Sequence, residues 1–304
     1  MRPIADLASL LDQYTLSLGN GAHETAIANL HIMRAEAVTE PLHAVFKPSL
    51  CIVAQGAKRT VAGERTFDYA PGQYLTVSIS VPVRGQIMEA APEAPFLCMK
   101  LTLDPLVLNA VVIEGMVPRQ EAEPEIGLQV SPVSPEIIDA AVRLVGLLGR
   151  PDHAGALAPL YQRELMVLLL SGPQGARLRQ MAMPGSRTAQ IVRALRWITE
   201  NFRQPISVED AAAEAGMSAS TFYQHFKNVT SQSPLQFQKQ LRLQEARSLL
   251  VSGGMDAASA SFAVGYSSPQ QFSREYARMF GAPPQRDAAR LRSQVNAPTA
   301  AAAG

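Results

Sequence analysis

Residues 216–234, GMSASTFYQHFKNVTSQSP, and residues 265–284, GYSSPQQFSREYARMFGAPP, are two copies of one pattern. Each opens on a Gly. Each then places two aromatic residues four apart and a Pro eight further on: Phe222, Phe226 and Pro234 in the first copy, Phe272, Tyr276 and Pro284 in the second. A short Ala-rich segment precedes both, Val208–Ala215 and Asp256–Val264. A short helix, a Gly-centred turn and a second helix are the sequence form of a helix-turn-helix. Two in tandem point to a chain that reads double-stranded DNA with two recognition helices.

Helical phase divides each second helix into an inner and an outer face. Phe222 and Phe226 are four apart and share the buried face, as do Phe272, Tyr276 and Met279 or Phe280. Ser220, Tyr223, Gln224 and Lys227 form another stripe, matched in the second copy by Gln270, Ser273, Arg274 and Ala277. Gln pairs with adenine and Arg with guanine through two hydrogen bonds each, and Ser and Tyr serve bases or phosphates. Ser207 followed by Asp210 has the form of a capping box, and Gly216 permits the tight turn. Between the copies, Leu235 to Leu250 reads as one long helix, whose Lys239, Arg242 and Arg247 are candidates for phosphate contact.

The formal net charge of +1 over 304 residues hides an asymmetry. From Ser186 onward there are 13 basic and 8 acidic residues, and before it 14 basic and 18 acidic, so the C-terminal third carries +5 and the rest −4. A basic C-terminal module fits nucleic-acid binding. No apolar run reaches the ~18 residues of a membrane span, so no membrane partner is expected. Two cysteines give no disulfide framework, and a cytoplasmic location is expected.

The N-terminus reads as an amphipathic helix through Ile4, Leu7, Leu10, Leu11 and Tyr14. Residues 28–102 then break into short apolar and β-branched runs (LHIMRA, SLCIVAQG, KRTVAG, RTFDY, QYLTVSISV, RGQIMEA, FLCMKLTL) punctuated by Gly and Pro. That spacing predicts a sandwich or barrel. Helical period returns between 135 and 170, as two helices joined by PDHAG that either pack on the barrel or mate with a second subunit. SGPQGARLRQMAMPGS, 171–186, reads as a linker, and the residues after Ser293 as a small, polar, disordered tail.

The C-terminal segments WITENF, GMSASTFYQHFK, SPLQFQKQLRLQEARSLL and VGYSSPQQFSREYARMFGAPP closely resemble the arabinose-regulator (AraC/XylS) family of bacterial transcription factors over roughly residues 187–292. PSLCIVAQGAKRTVAGERTFDYAPGQYLTVSISVPVRGQIMEA is similar to the cupin-type effector domain of one subgroup. The resemblance implies an α+β protein: a cupin-like barrel with a helical hairpin over 1–170, a linker over 171–186, an all-α domain of seven helices with two helix-turn-helix motifs over 187–292, and a tail over 293–304. It implies a cytoplasmic regulator with a small-molecule effector and RNA polymerase as a partner, and it places Ser220, Tyr223, Gln224, Gln270, Ser273 and Arg274 among the base readers. Lys227 completes the stripe of the first copy, and a homodimer is compatible with this architecture. Three departures stand out: Ala211 and Ala260 where the family has a bulky aliphatic residue, Ser231 in place of a Gly before Ser-Pro, and Pro269 at the start of the second recognition helix.

The sensor half offers little catalytic chemistry. His23, His31, His43 and His153 form no His-x-His pair, and residues 44–134 contain no His, so neither a metal nor another cofactor is expected. No Ser-His-Asp pattern, phosphate loop or paired-carboxylate motif stands out, so no enzyme activity is expected. Cys51 and Cys98 lie in apolar runs and read as buried small hydrophobes. The sharper reading makes one of them an effector-sensing thiolate, its pKa lowered by Lys47, Lys58 or Lys100. Two other functions stay open at this point: a DNA-binding protein whose barrel only oligomerises, and a cupin enzyme carrying an appended DNA-binding domain.

Overall fold

The β-branched runs between Leu30 and Thr102 become strands close to where their Gly and Pro punctuation places them. The structure, a computed structural model, describes residues 2–114, 127–183, 185–252 and 255–296. It forms two compact units, Met1–Arg193 with Gln224–Gln232, and Ala194–Tyr223 with Ser233–Gly304.

The N-terminal elements are α1 (Ile4–Thr15), then β1 (Gly21–Glu24), β2 (Leu30–Ala35), β3 (Leu42–Phe46), β4 (Ser49–Gln55), β5 (Ala57–Ala62), β6 (Arg65–Tyr69), β7 (Gln73–Val77), β8 (Val81–Glu89) and β9 (Phe96–Thr102). They are followed by α2 (Pro105–Ile113), β10 (Leu128–Pro132), α3 (Pro135–Gly146), α4 (Pro151–Ser171) and α5 (Gly175–Ala182). The strands make two antiparallel sheets, ordered β1-β2-β9-β4-β7-β10 and β3-β8-β5-β6. Among the described residues the expected barrel is therefore not closed, and each sheet keeps its own edges.

Burial explains the strand sequences. Leu30, Ile32, Leu50, Ile52, Leu97, Met99 and Leu101 on one face of the larger sheet share a core with Leu7 and Leu11 of α1, Leu144 and Val145 of α3 and Leu165 and Leu169 of α4. Each such side chain contributes about 1.5–3 kcal/mol when fully buried. Cys51, Val53, Phe96 and Cys98 on the other face are buried too, so β4 and β9 read as nearly continuous apolar runs. Arg34 fastens α1 to β2 through Asp12 at 2.5 Å, and it also reaches Glu36 at 3.0 Å.

Several expectations shift. The two helices at 135–170 pack on the larger sheet. Their joint is a 3-10 turn at Leu147–Gly149, because Pro151 sits at the first position of α4, where its fixed φ starts a helix. The expected linker over 171–186 carries α5, and Leu178 and Met181 join the core. α2 was not foreseen: its apolar residues show no clear phase, yet Asp104 caps it by accepting the Leu106 N–H at 2.8 Å. The edge strands β1, β3 and β10 are short and partly exposed, which weakened their alternation.

The C-terminal helices are α6 (Arg187–Asn201), α7 (Val208–Ala215), α8 (Ala219–Thr230), α9 (Pro234–Ser252), α10 (Ala257–Ala263), α11 (Pro269–Phe280) and α12 (Pro284–Asn296). The tail expected from 293 is thus helical through Asn296, and 297–304 lie outside the described residues. Around α11, Leu243, Ala246 and Leu250 of α9 pack with Ala260, Val264, Tyr266, Phe272, Tyr276 and Ala288.

One polar cluster closes this core. The fully buried Asp287 carboxylate accepts hydrogen bonds from Arg247 at 2.8 and 3.1 Å, from the Tyr276 hydroxyl at 2.9 Å and from Arg290 at 3.0 Å. Burial alone raises its pKa. The two guanidiniums and the hydroxyl outweigh that effect and hold it below the ordinary aspartate range.

Asp287→Ala leaves Arg247 without its anion, and the expected loss is about 3–5 kcal/mol. The check is urea unfolding of the full chain followed by the fluorescence of Trp197, the one tryptophan, on α6. A loss below about 1 kcal/mol would show that the cluster does not support the helices. Because the folded pKa is depressed, the carboxylate's stabilisation is complete above about pH 4 and is lost as pH falls through the folded value. The acid limb of the wild-type unfolding profile should therefore flatten in the variant.

Candidate nucleic-acid interface

Each recognition helix is started by a serine. Ser218 accepts the Thr221 N–H at 3.3 Å ahead of α8, and Ser268 accepts the Gln271 N–H at 3.3 Å ahead of α11. The scaffold helices are capped likewise. Ser207 accepts the Asp210 N–H at 3.0 Å, with Asp210 reaching back to close the expected capping box, and Asp256 accepts the Ser259 N–H at 2.7 Å. Such caps contribute about 1 kcal/mol each. Pro269 follows Ser268 at the first helical position, which needs no N–H donor.

The turns need their glycines. Gly216 ends α7 in the left-handed region, at φ 66° and ψ 40°. Gly265 has φ +90°, and an added Cβ would lie 1.8 Å from the Arg203 carbonyl oxygen. Ser231, after α8, also has a positive φ of 60°. That conformation is why glycine suits this position and why its replacement by serine is a departure.

The inner aromatics Phe222, Phe226, Phe272 and Tyr276 are fully buried, as are Ala211 and Ala260 on the scaffold helices. Ser220, Tyr223, Gln224, Lys227, Gln270 and Arg274 are exposed and Ser273 is half-buried. None of these seven side chains has a hydrogen-bond or ion-pair partner among the described residues. A separation of 50 residues relates Ser220 to Gln270, Tyr223 to Ser273 and Gln224 to Arg274.

The bases of α9 behave differently. Arg242 donates to the carbonyls of Phe202 at 2.6 Å and Gln204 at 2.8 Å. Lys239 lies 3.1 Å from Glu275, and Arg247 belongs to the Asp287 cluster. All three are phosphate candidates from the sequence, and each has a partner within the helical region. The sequence reading missed Glu275, which accepts from Tyr266 at 2.8 Å and from Gln271 at 3.3 Å, and it missed the caps Ser218 and Ser268 of the recognition helices. The matched Ser-x-x-Thr and Ser-x-x-Gln steps of the two copies carried that signal.

Cys51 and Cys98 are both buried, free thiols on β4 and β9. Burial pushes both up, Cys98 to about 12 with the neighbouring Cys51 adding to the effect, although Lys58 and Lys100 pull the other way. Of the three lysines named from the sequence, Lys58 and Lys100 act on the thiols, and desolvation outweighs them. Among the described residues no group of three His, Cys, Asp or Glu is arranged to hold a metal, and no helix is long and apolar enough to cross a membrane.

Residues 26–177 match the family described as the AraC-type transcriptional regulator N-terminus, and residues 211–290 match a helix-turn-helix domain family. The chain is 27% identical over 268 residues to the virulence regulon transcriptional activator VirF of Yersinia enterocolitica, covering 85% of this chain and 96% of that protein. It is likewise 27% identical over 269 residues to the thermoregulatory protein LcrF of Yersinia pestis, with the same coverage. In fold it is similar to an apo ToxT variant of Vibrio cholerae, with a TM-score of 0.55 at 8% identity, covering 87% of this chain and 98% of that one. It is also similar to ToxT bound to (E)-4-(8-methylnaphthalen-1-yl)but-3-enoic acid, with a TM-score of 0.50 at 11% identity, covering 86% and 98%.

Ser231→Gly removes the left-handed strain, and the expected gain is about 0.5–1 kcal/mol after the extra freedom of the unfolded chain is set against it. Ser231→Val should destabilise by about 1–2 kcal/mol. The two midpoints in urea check this, and a Gly variant weaker than wild type would show that the serine side chain matters more than its backbone.

Proposed function

From the premise that this chain belongs to the AraC-type transcriptional regulators, we propose that α8 and α11 enter successive major grooves on one face of the duplex. The chain is a DNA-binding transcription regulator. The observation that carries the finer reading is the 50-residue match between two outward stripes, each backed by a buried aromatic pair and started by a serine cap. Ser220, Tyr223, Gln224 and Lys227 read or hold one half-site, and Gln270, Ser273 and Arg274 the other. Gln224 and Arg274 have the two-pronged donors that discriminate bases. Lys227 serves the backbone.

The first unit is the effector-responsive part of this reading. Ligand in the related fold supports it, since ToxT has been solved with a carboxylic acid bound. The raised thiol pKa values favour reversible binding over covalent capture at Cys51 or Cys98. A cytoplasmic location, contact with RNA polymerase and pairing of two chains complete the proposal. No catalytic step is assigned to it.

Selection of duplexes from a random pool by the full chain should return a bipartite site whose halves lie about 10 bp apart. Affinity for that site should fall steeply with salt as counterions are released. Gln224→Ala and Arg274→Ala should each weaken it by about 1–3 kcal/mol while changing non-specific binding less, and Lys227→Ala should weaken all sequences alike. Equal losses on specific and random DNA for Arg274→Ala would remove it from the base-reading set.

A further inference from the structure

The face of the larger sheet turned away from the helices holds an unusual set of side chains. Strand register sets His31, Lys100 and Cys51 in one cross-strand row of β2, β9 and β4, and Met33, Cys98 and Val53 in the next. Their chain neighbours Ile32, Met99 and Ile52 belong to the core shared with the helices. Opposite this face stands Lys58 of β5, paired with Tyr69 on one side and Ile87 on the other. Lys58 Nζ lies 3.9 Å from Met33 Sδ, 5.6 Å from the centre of the Phe46 ring and 5.9 Å from that of Phe96. Lys100 Nζ lies 6.0 Å from the same Phe46 ring. Two ammonium groups, from opposite sheets, therefore converge on one aromatic side chain.

Neither ammonium has a carboxylate within 4.0 Å among the described residues. Lys58 is only 9% exposed. Glu24, the acid in the row of Lys100, is exposed and approaches His31 Nε2 at 3.9 Å, while His31 Nδ1 is buried without a partner. The groups that could supply a negative charge from within do not: burial raises the pKa of Cys51, Cys98 and Tyr69, so all three are neutral near pH 7. A buried cation without an anion is costly, and ring contacts offset only part of that cost. Both ammonium groups thus face aromatic and apolar side chains of the inter-sheet face.

We propose that this inter-sheet face binds a small organic acid, its carboxylate held between Lys58 and Lys100 and its apolar part against Phe46, Phe96 and Met33. The inference rests on the reading of the first unit as an effector sensor and names the chemical class of the effector. An acid satisfies both ammonium groups through charge-assisted hydrogen bonds. A neutral ligand of the same shape leaves them as they are.

The test is calorimetric titration of the full chain with decanoate and phenylacetate, and with decanol and phenylethanol as uncharged counterparts. At least one acid should bind, and its alcohol should bind about tenfold more weakly or not at all. Lys58→Met and Lys100→Met should each lose about tenfold in acid affinity. Lys100 is the more exposed of the two, so its variant keeps the test open should Lys58→Met fail to fold, and thermal unfolding reads out folding in both. Equal binding of acid and alcohol, or undiminished acid binding in a folded Lys100→Met, overturns the proposal. If neither acid binds but a neutral metabolite panel raises the unfolding temperature of the full chain, the acid class is wrong and the sensor reading stands. If neither acids nor panel members bind, both fall together.

Discussion

A helix presents a fixed polar stripe to DNA only if its opposite face cannot rotate. Both recognition helices meet this constraint with an aromatic pair one turn apart, Phe222 with Phe226 and Phe272 with Tyr276, all fully buried. Rotation by one residue, about 100°, would expose a ring and bury a polar side chain. In the second motif the rings also touch one another, with Tyr266, Phe272, Tyr276 and Phe280 in sequence at centroid distances of 5.4, 5.5 and 4.5 Å. Tyr276 then links this ladder to Asp287 and Arg247, so α11, α12 and α9 are fixed by one carboxylate. Rigidity in the core and freedom on the outer stripe are two sides of the same packing.

The same logic explains which basic residues are left for DNA. Arg242 and Arg247 lie on α9 between the two motifs, and sequence alone gives them the look of phosphate ligands. Their guanidiniums reach carbonyls of 202 and 204 and the buried Asp287 instead. A long side chain on a packed helix finds backbone oxygens and acids as readily as solvent, and no periodicity distinguishes these outcomes. Arg274 differs because its neighbours on the stripe are Gln270 and Ser273, neither of which competes for it.

Legibility followed physical redundancy. The helix-turn-helix motifs were readable because aromatic spacing, Gly turns and caps all specify the same register, so α7 falls on the predicted Val208–Ala215. Strands β4, β5, β6 and β9 were readable because their apolar runs end at Gly, Pro or charged residues. What failed was underdetermined locally. Closure of the sheets depends on partners far apart in sequence. PDHAG contains loop-forming residues, but Pro151 is as good a helix start as a breaker. The 171–186 segment has the composition of a linker, yet Leu178 is buried with the helices above the larger sheet.

The sensor face was the least legible part, because its chemistry is a relation between strands. From the sequence, Lys58 and Lys100 entered as neighbours that would activate a thiol. In the structure the proximity holds and the consequence inverts. Burial keeps both thiols protonated and uncharged, whereas Lys58 lies against the rings of Phe46 and Phe96 with no carboxylate within 4.0 Å among the described residues. The lysines, rather than the cysteines, are therefore the groups on this face that an anionic ligand would engage.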